Sequence, residues 1–181
     1  MPMKRVSAFL LILLAFSAGF SHAQVAPAAS KSHTFSLTAG GIGSYFQPDY
    51  GPNRLLGVGA YADVKFTRWF QVEGEARFLR FNQFDDIYED NYLIGPRVPV
   101  FHFWRATPYA KALIGEGKFN FPGNQAKGQF TALAYGGGLD IKVSKRLSFR
   151  AVDFEYQQWP KFLDSSLSPY GVSAGVGYRI F

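Results

Sequence analysis

The sequence predicts an all-β protein: a closed eight-stranded antiparallel up-and-down transmembrane β-barrel, preceded by a cleaved N-terminal signal helix. From residue 33 onward, apolar and polar residues alternate with a period of two, and no helical period is present. Alternation is typical of strands with two unlike faces. A tilted membrane-spanning strand needs about 9–11 residues, whereas soluble strands average about 5–6. The predicted strands are longer than the soluble average and cover about residues 33–45, 54–66, 69–81, 91–100, 106–117, 130–143, 146–157 and 169–181.

The N-terminus has the order of features found in secretory signals. Lys4 and Arg5 precede an uncharged apolar stretch over residues 6–20, and the small residues Ser21 and Ala23 follow it. A positive start, an apolar stretch and small residues before the cleavage point are typical of a signal peptide. A spanning helix needs roughly 20 apolar residues, so this stretch is short for an anchor. We expect a signal peptide at residues 1–23, a flexible leader at 24–32 and the barrel at 33–181.

Composition excludes several classes of site. The 181 residues include no cysteine, which rules out disulfides, thiolate metal sites, thiol nucleophiles and a lipid-modified cysteine. Loss of Lys4 and Arg5 with the signal would lower the net charge from +6 to +4. That excess is small and dispersed, so we expect no binding of nucleic acid.

The connections between the predicted strands alternate in length. Tight connections fall near residues 67–68, 102–105 and 144–145, whereas long polar ones fall near 46–53, 82–90, 118–129 and 158–168. Short and long connections therefore occupy opposite ends of the barrel. Outer-membrane barrels have short periplasmic turns and longer external loops, so the four long connections are expected outside the cell.

One face of the predicted strands carries charges of both signs, and the other face is apolar. Buried charges are costly unless they are paired, and neighbouring strands offer partners of opposite sign. Because Arg150 and Asp153 are three residues apart, a bulge at 151–152 is needed to place both on one face. We expect an apolar outer wall around a network of ion pairs that comprises Asp63, Lys65, Glu73, Glu75, Arg77, Asp140, Lys142, Arg150, Asp153, Glu155 and Arg179.

Alternation alone leaves the opposite orientation open. A soluble barrel of the lipocalin kind buries its apolar face and exposes its charged one. Its cavity would bind an apolar ligand and would be lined by Val58, Val64, Phe70, Val72 and Ile141. The aromatic residues favour the membrane orientation, because they gather at strand ends, where outer-membrane barrels carry interfacial girdles. The predicted girdle consists of Phe66, Trp69, Phe70, Phe101, Phe103, Trp104, Tyr178 and Phe181.

The C-terminal segment 175–181 alternates and ends on an aromatic residue. It resembles the C-terminal signal of bacterial outer-membrane barrels, although Tyr178 stands three residues before the end where that signal has an aromatic two before it. Segments 95–98, 108–110 and 150–157 also look like strands of this group. Over residues 33–181 the chain resembles the small eight-stranded barrels of the OmpA and OmpX type, in the outer membrane protein beta-barrel domain family.

The resemblance implies a non-enzymatic monomer of the bacterial outer membrane. Its partners would be membrane lipid, lipopolysaccharide and the barrel-assembly machinery, which would recognise the C-terminal strand. An eight-stranded barrel leaves an interior that side chains can fill, so we expect a filled lumen. The expected role is structural or adhesive, with the four long external loops as the contact surface.

Candidate residues for chemistry are few. His33 and His102 have no obvious serine partner, and a hydrolase needs its base and nucleophile within hydrogen-bond reach. Four carboxylates in residues 85–90 lack the Asp-x-Asp-x-Asp-Gly order of a calcium loop. We expect no catalytic residue, no cofactor and no metal, and a lipid-modifying outer-membrane enzyme remains the alternative.

Overall fold

The computed structural model describes residues 35–49, 54–80, 87–120, 127–162 and 165–181. None of these ranges contains a helix that could cross a membrane. The signal peptide and leader, at residues 1–32, and the first two residues of the predicted barrel lie outside the described ranges. The strands are β1 (Ser36–Gln47), β2 (Leu55–Lys65), β3 (Gln71–Arg80), β4 (Tyr88–Pro99), β5 (Ala106–Asn120), β6 (Lys127–Lys142), β7 (Leu147–Phe162), β8 (Ser165–Leu167) and β9 (Tyr170–Arg179).

Eight long strands close into an antiparallel barrel, as predicted. Each strand from β1 to β7 pairs with the next in the chain, and β9 pairs with both β7 and β1. Closure runs from Thr38 opposite Arg179 to Gln47 opposite Tyr170. Every long strand therefore has two neighbours, which removes the exposed sheet edge that lipid could not satisfy.

The seventh strand is longer than predicted and carries an extra hairpin. β7 continues to Phe162, and the short strand β8 pairs with its end. The predicted strand ends at residue 157, before Pro160, and a proline cannot donate to a ladder. Pro160 lies beyond Gln158, where the pairing of β7 with β6 ends, so its missing N–H breaks no bond there.

The predicted bulge in β7 is confirmed. Arg150 pairs with Asp140 and Val152 with Leu139, so Ala151 is the extra residue opposite β6. The β9 ladder shifts at the same place. The bulge restores the phase of the strand, and both Arg150 and Asp153 point into the barrel and are fully buried.

The charged face points inward and the apolar face outward. Asp63, Glu73 and Arg77 are buried, whereas Val58 is 66% exposed and Ile94 is 58% exposed. This arrangement suits an outer wall in contact with hydrocarbon. The soluble alternative requires a cavity lined by apolar side chains, which is the reverse of this arrangement. The soluble alternative was therefore wrong.

The outer wall provides a direct test of membrane contact. Ile94 lies mid-strand on β4 opposite Ile114 on β5, and both are exposed. We expect Ile94→Arg to lower the free energy of unfolding in phospholipid vesicles by about 2–4 kcal/mol, because the guanidinium would lie in hydrocarbon. Urea unfolding followed by tryptophan fluorescence measures the change. Thr131→Arg is the control, since Thr131 is exposed opposite Glu116 and should tolerate arginine. Equal stability of the two variants would contradict a lipid-facing wall.

Candidate functional site: the lumen and its two ends

A buried ionic network fills the middle of the lumen. At its centre, Lys111 on β5 places its Nζ 3.1 Å from Glu73, 3.1 Å from Glu75, 2.7 Å from Asp153 and 3.0 Å from Glu155. All five side chains are at most 1% exposed. An ammonium group has three N–H donors, so four carboxylates share them. The network therefore joins β3, β5 and β7 across the barrel interior.

Three arginines extend the network along the axis. Arg150 lies 2.7 Å from Glu73 and 3.1 Å from Asp63, and Arg77 donates two hydrogen bonds to Glu155 at 2.8 and 3.2 Å. Arg97 is 2.5 Å from Asp63 and also pairs with Asp140. Arg77 pairs with Glu75 as well. Bidentate and shared contacts of this kind fix the direction of each guanidinium.

Each arginine also stacks on an inward-facing aromatic ring. The Cζ atoms of Arg97, Arg150 and Arg77 lie 3.6, 3.7 and 4.2 Å from the ring centroids of Tyr109, Tyr61 and Phe46 respectively. Such contacts add cation–π attraction in a desolvated site. The Tyr61 ring needs a glycine beneath it, because a Cβ on Gly40 would lie 2.5 Å from its ring atoms.

The network has more acids than bases. Six carboxylates, at Asp63, Glu73, Glu75, Asp140, Asp153 and Glu155, face the four cations Arg77, Arg97, Lys111 and Arg150. Loss of a cation would widen that imbalance, and loss of a carboxylate would narrow it. Three of the carboxylates have oxygens within 4.8 Å of one another, as metal ligands do. The Lys111 ammonium contacts all three and takes the position that a metal ion would need.

The structure brings together most, but not all, of the predicted network. Lys65, Lys142 and Arg179 line the lumen but form no ion pair with any residue in the described ranges, so they stand apart from the paired network. They lie at the tight-turn end, where Asp63 and Asp140 are already paired with Arg97 and Arg150. Arg97 and Lys111 were missed, although each lies on the inward phase of its strand between apolar residues or glycine: Gly95 and Pro99 flank Arg97, and Tyr109 and Leu113 flank Lys111. A charge at such a position was the signal that could have identified them.

The tight-turn end of the lumen is an open vestibule of about 360 Å³. Its floor includes Arg97, Asp63, Asp140 and Tyr109, which belong to the network or pack on it. His102 lies at this end and is exposed, whereas His33 falls outside the described ranges. The vestibule wall consists of Ser36, Thr38, Lys65, Gln71, Pro99, His102, Thr107, Lys142, Ser148 and Arg179.

The long-loop end of the lumen is closed by apolar side chains, which the alternation did not predict. Trp159 is fully buried against Leu93, Leu113, Ala132 and Ala134, and its ring lies 3.8 Å from that of Phe130, centroid to centroid. A second cluster on the opposite side consists of Phe46, Leu55, Leu79 and Ile87.

Hydrogen bonds along β7 join this apolar closure to the ionic network. Trp159 Nε1 donates to Gln157 Oε1 at 2.8 Å, and Gln157 Nε2 donates to Glu155 Oε1 at 2.9 Å. These residues alternate along one strand, so their side chains follow one another up the inner wall. The closure and the charged middle are therefore one connected packing unit.

All eight predicted girdle residues are exposed, and they lie at the tight-turn end. Phe35 joins them, with its ring 5.9 Å from Phe66 and 5.5 Å from Phe181. Arg68 lies over Trp69, and Arg105 over Trp104. A set of outward tyrosines on the other half of the wall was missed; it comprises Tyr45, Tyr92, Tyr135, Tyr156 and Tyr170.

The outer wall becomes polar toward the long-loop end. On β5 the exposed residues change from Ile114 to Glu116 and Lys118, and on β6 Thr131 and Gln129 are exposed. Gln129 donates to Glu116 at 2.8 Å. At about 3.3 Å per residue, the five residues from Glu116 to Asn120 carry β5 roughly 15 Å past the apolar band. We call the ends of these paired strands the projecting ridge: residues 116–120 of β5, 127–131 of β6 and 158–160 of β7.

Known outer-membrane proteins share this fold. The family described as outer membrane protein beta-barrel domain matches residues 10–179, and a search of curated proteins gives no match. Neisserial surface protein A is similar with a TM-score of 0.59 and 14% identity over 80% of this chain and 96% of that chain. OprG of Pseudomonas aeruginosa has a TM-score of 0.54 and 11% identity, with 82% and 97% covered. The N-terminal barrel domain of Pseudomonas aeruginosa OprF has a TM-score of 0.53 and 11% identity, with 79% and 97% covered.

Proposed function

This chain belongs to the outer membrane protein beta-barrel domain family, and from that premise we propose that it acts as a non-enzymatic structural or adhesive barrel. The family match confirms the resemblance expected from the sequence and places the protein in the bacterial outer membrane. We further propose that it is a monomer embedded in lipid and lipopolysaccharide, assembled through recognition of its C-terminal strand.

The filled lumen carries this proposal. Side chains that are at most 1% exposed occupy its middle, and Trp159 is fully buried at the long-loop end. A barrel packed in this way offers its outer surface, rather than a channel, for interaction. The projecting ridge supports the adhesive version, because the paired strands β5 and β6 continue roughly 15 Å past the apolar band.

The adhesive role can be tested by exchange of one long connection. Replacement of residues 121–126 by a glycine–serine segment is expected to reduce attachment of expressing cells to epithelial layers to the level of cells that lack the protein. The fold should survive, because the exchange begins after Asn120, the last residue of β5, and ends before Lys127, the first residue of β6. Cell counts after washing measure attachment, and heat-modifiable migration in detergent gels verifies assembly.

The matched control changes the opposite end of the barrel. Arg105→Ser with Lys145→Ser alters exposed residues of two tight turns and should leave attachment unchanged. Wild-type attachment by the assembled exchange variant would contradict the adhesive role. Altered lipid A or phospholipid composition on expression, abolished in His102→Ala, would favour the lipid-modifying enzyme instead.

A further inference from the structure

We propose that the vestibule at the tight-turn end is a binding site for a phosphate-containing anion. Three cations from three strands line it: Lys65 on β2, Lys142 on β6 and Arg179 on β9. None of them has an ion-pair partner in the described part of the chain. This inference goes beyond the structural or adhesive role and does not depend on it.

Hydroxyl side chains separate the three cations around the wall. Ser36 is opposite Lys65, and Thr38 is opposite Arg179, so β1 places a hydroxyl beside each of these cations. On the other side of β9, Ser148 of β7 is opposite Lys142. All six side chains line the same cavity. Ammonium, guanidinium and hydroxyl groups are the donors that proteins use to bind phosphate oxygens.

The acidic groups in the vestibule are already paired. Asp63 contacts Arg97 and Arg150, and Asp140 contacts the same two arginines. These two carboxylates therefore offset the charges of the arginines at the floor, not the charges of the three cations on the wall. Among the groups that line the cavity, four cations face these two carboxylates, so the lining carries an excess of positive charge above a network that is itself richer in acids.

The arrangement of charge is unfavourable without an anion. Lys65 is half-buried and the exposed Arg179 flanks the same strand, β1, so two like charges lie close together at this end of the lumen. Repulsion between like charges costs free energy, and no described carboxylate offsets it at the wall. A bound dianion would remove that cost.

The size of the vestibule limits the ligand to one small group. A volume of about 360 Å³ lies at the lower end of the range for small-molecule sites, roughly 300–1,000 Å³. It accommodates a phosphorylated small molecule or the headgroup of an anionic phospholipid. The buried network closes the inner end, so the anion would bind and leave by the same opening.

Calorimetric titration of the folded barrel in phosphate-free detergent tests the site. Inorganic phosphate and glycerol 3-phosphate are the probes, at constant ionic strength because screening weakens such contacts. Saturable binding is expected. Lys65→Gln, Lys142→Gln and Arg179→Gln together should weaken it by about tenfold for each charge-assisted hydrogen bond removed. Where the triple variant does not fold, Lys65→Gln alone serves, with a smaller decrease in affinity.

The matched control removes three charges from the same end. Arg68→Gln, Arg105→Gln and Lys145→Gln change exposed residues that do not line the vestibule, so anion binding should be retained. A second arm uses native mass spectrometry of the barrel extracted from vesicles with and without phosphatidylglycerol. Binding in detergent identifies a soluble phosphate as ligand, and retained phosphatidylglycerol without phosphate binding identifies a lipid headgroup. The proposal would be overturned if the wild type bound neither phosphate nor phosphatidylglycerol. It would also be overturned if both triple variants bound the probes equally well.

Discussion

Lys111→Met is expected to lower the free energy of unfolding of the barrel by about 3–5 kcal/mol and to reduce the fraction that migrates in the heat-modifiable folded form. Methionine has a similar length and fills the same space, but it leaves four buried carboxylates without the ammonium that they share. Removal of one partner from a buried ion pair costs about 3–5 kcal/mol. That is a large part of the about 5–15 kcal/mol that holds a typical protein folded. Migration in detergent gels and urea unfolding in vesicles measure the destabilisation.

The sign of the charge imbalance makes this prediction specific. Glu75→Gln removes one of six acids and keeps the shape of the side chain, so it should cost far less than Lys111→Met. The double variant should be more stable than Lys111→Met alone. Lys118→Met is the matched control, because Lys118 is exposed on the outer face of the same strand. If Lys111→Met unfolds at the same urea concentration as Lys118→Met, the four contacts contribute nothing to stability.

The fold could be predicted because alternation determines which face each residue takes. Because side chains alternate with a period of two, the face of one residue determines the face of its neighbours in a regular strand, and the length of the strands favoured a membrane barrel over a soluble sheet. The bulge at Ala151 followed from the same rule, because only an added residue could place Arg150 and Asp153 on one face. Local signals of this kind depend on neighbours within one strand, so the sequence contains them.

The composition of the network could not be predicted as fully, because its contacts cross the barrel. Lys111 on β5 meets Glu73 on β3, and these strands are not neighbours in the sheet. Such contacts depend on the stagger of the strands, which alternation does not specify. Alternation also does not give the position of a residue along the barrel axis. For this reason the prediction included Lys65 and Arg179 in the network, although they lie at the open end of the lumen.

The apolar closure was missed for a different reason. Alternation loses its contrast where both faces are apolar, as at Leu93 beside Ile94 and at Leu55 beside Leu56. Here the inner residue packs on a cluster and the outer one is exposed. In such a stretch the sequence shows hydrophobicity and strand length but not which side chain faces the lumen.

Trp159→Ala is expected to lower the free energy of unfolding by about 3–5 kcal/mol, the range for truncation of a buried aromatic residue. The change empties the centre of the long-loop closure, where the indole packs against Leu93, Leu113 and Phe130. It also removes the N–H that Gln157 accepts. Urea unfolding in vesicles, followed by circular dichroism, measures the effect without dependence on the deleted fluorophore.

Trp104→Ala separates packing inside the barrel from contact with the membrane interface. Trp104 is 89% exposed in a tight turn, so its removal should cost much less than that of Trp159. Conductance in planar bilayers adds a second measurement: Trp159→Ala should still show no stable channels, because the buried ion pairs of Lys111 and Arg150 remain in the middle of the lumen. Steady ion current through Trp159→Ala would show instead that the apolar closure alone seals the barrel, and that the charged middle admits water and ions.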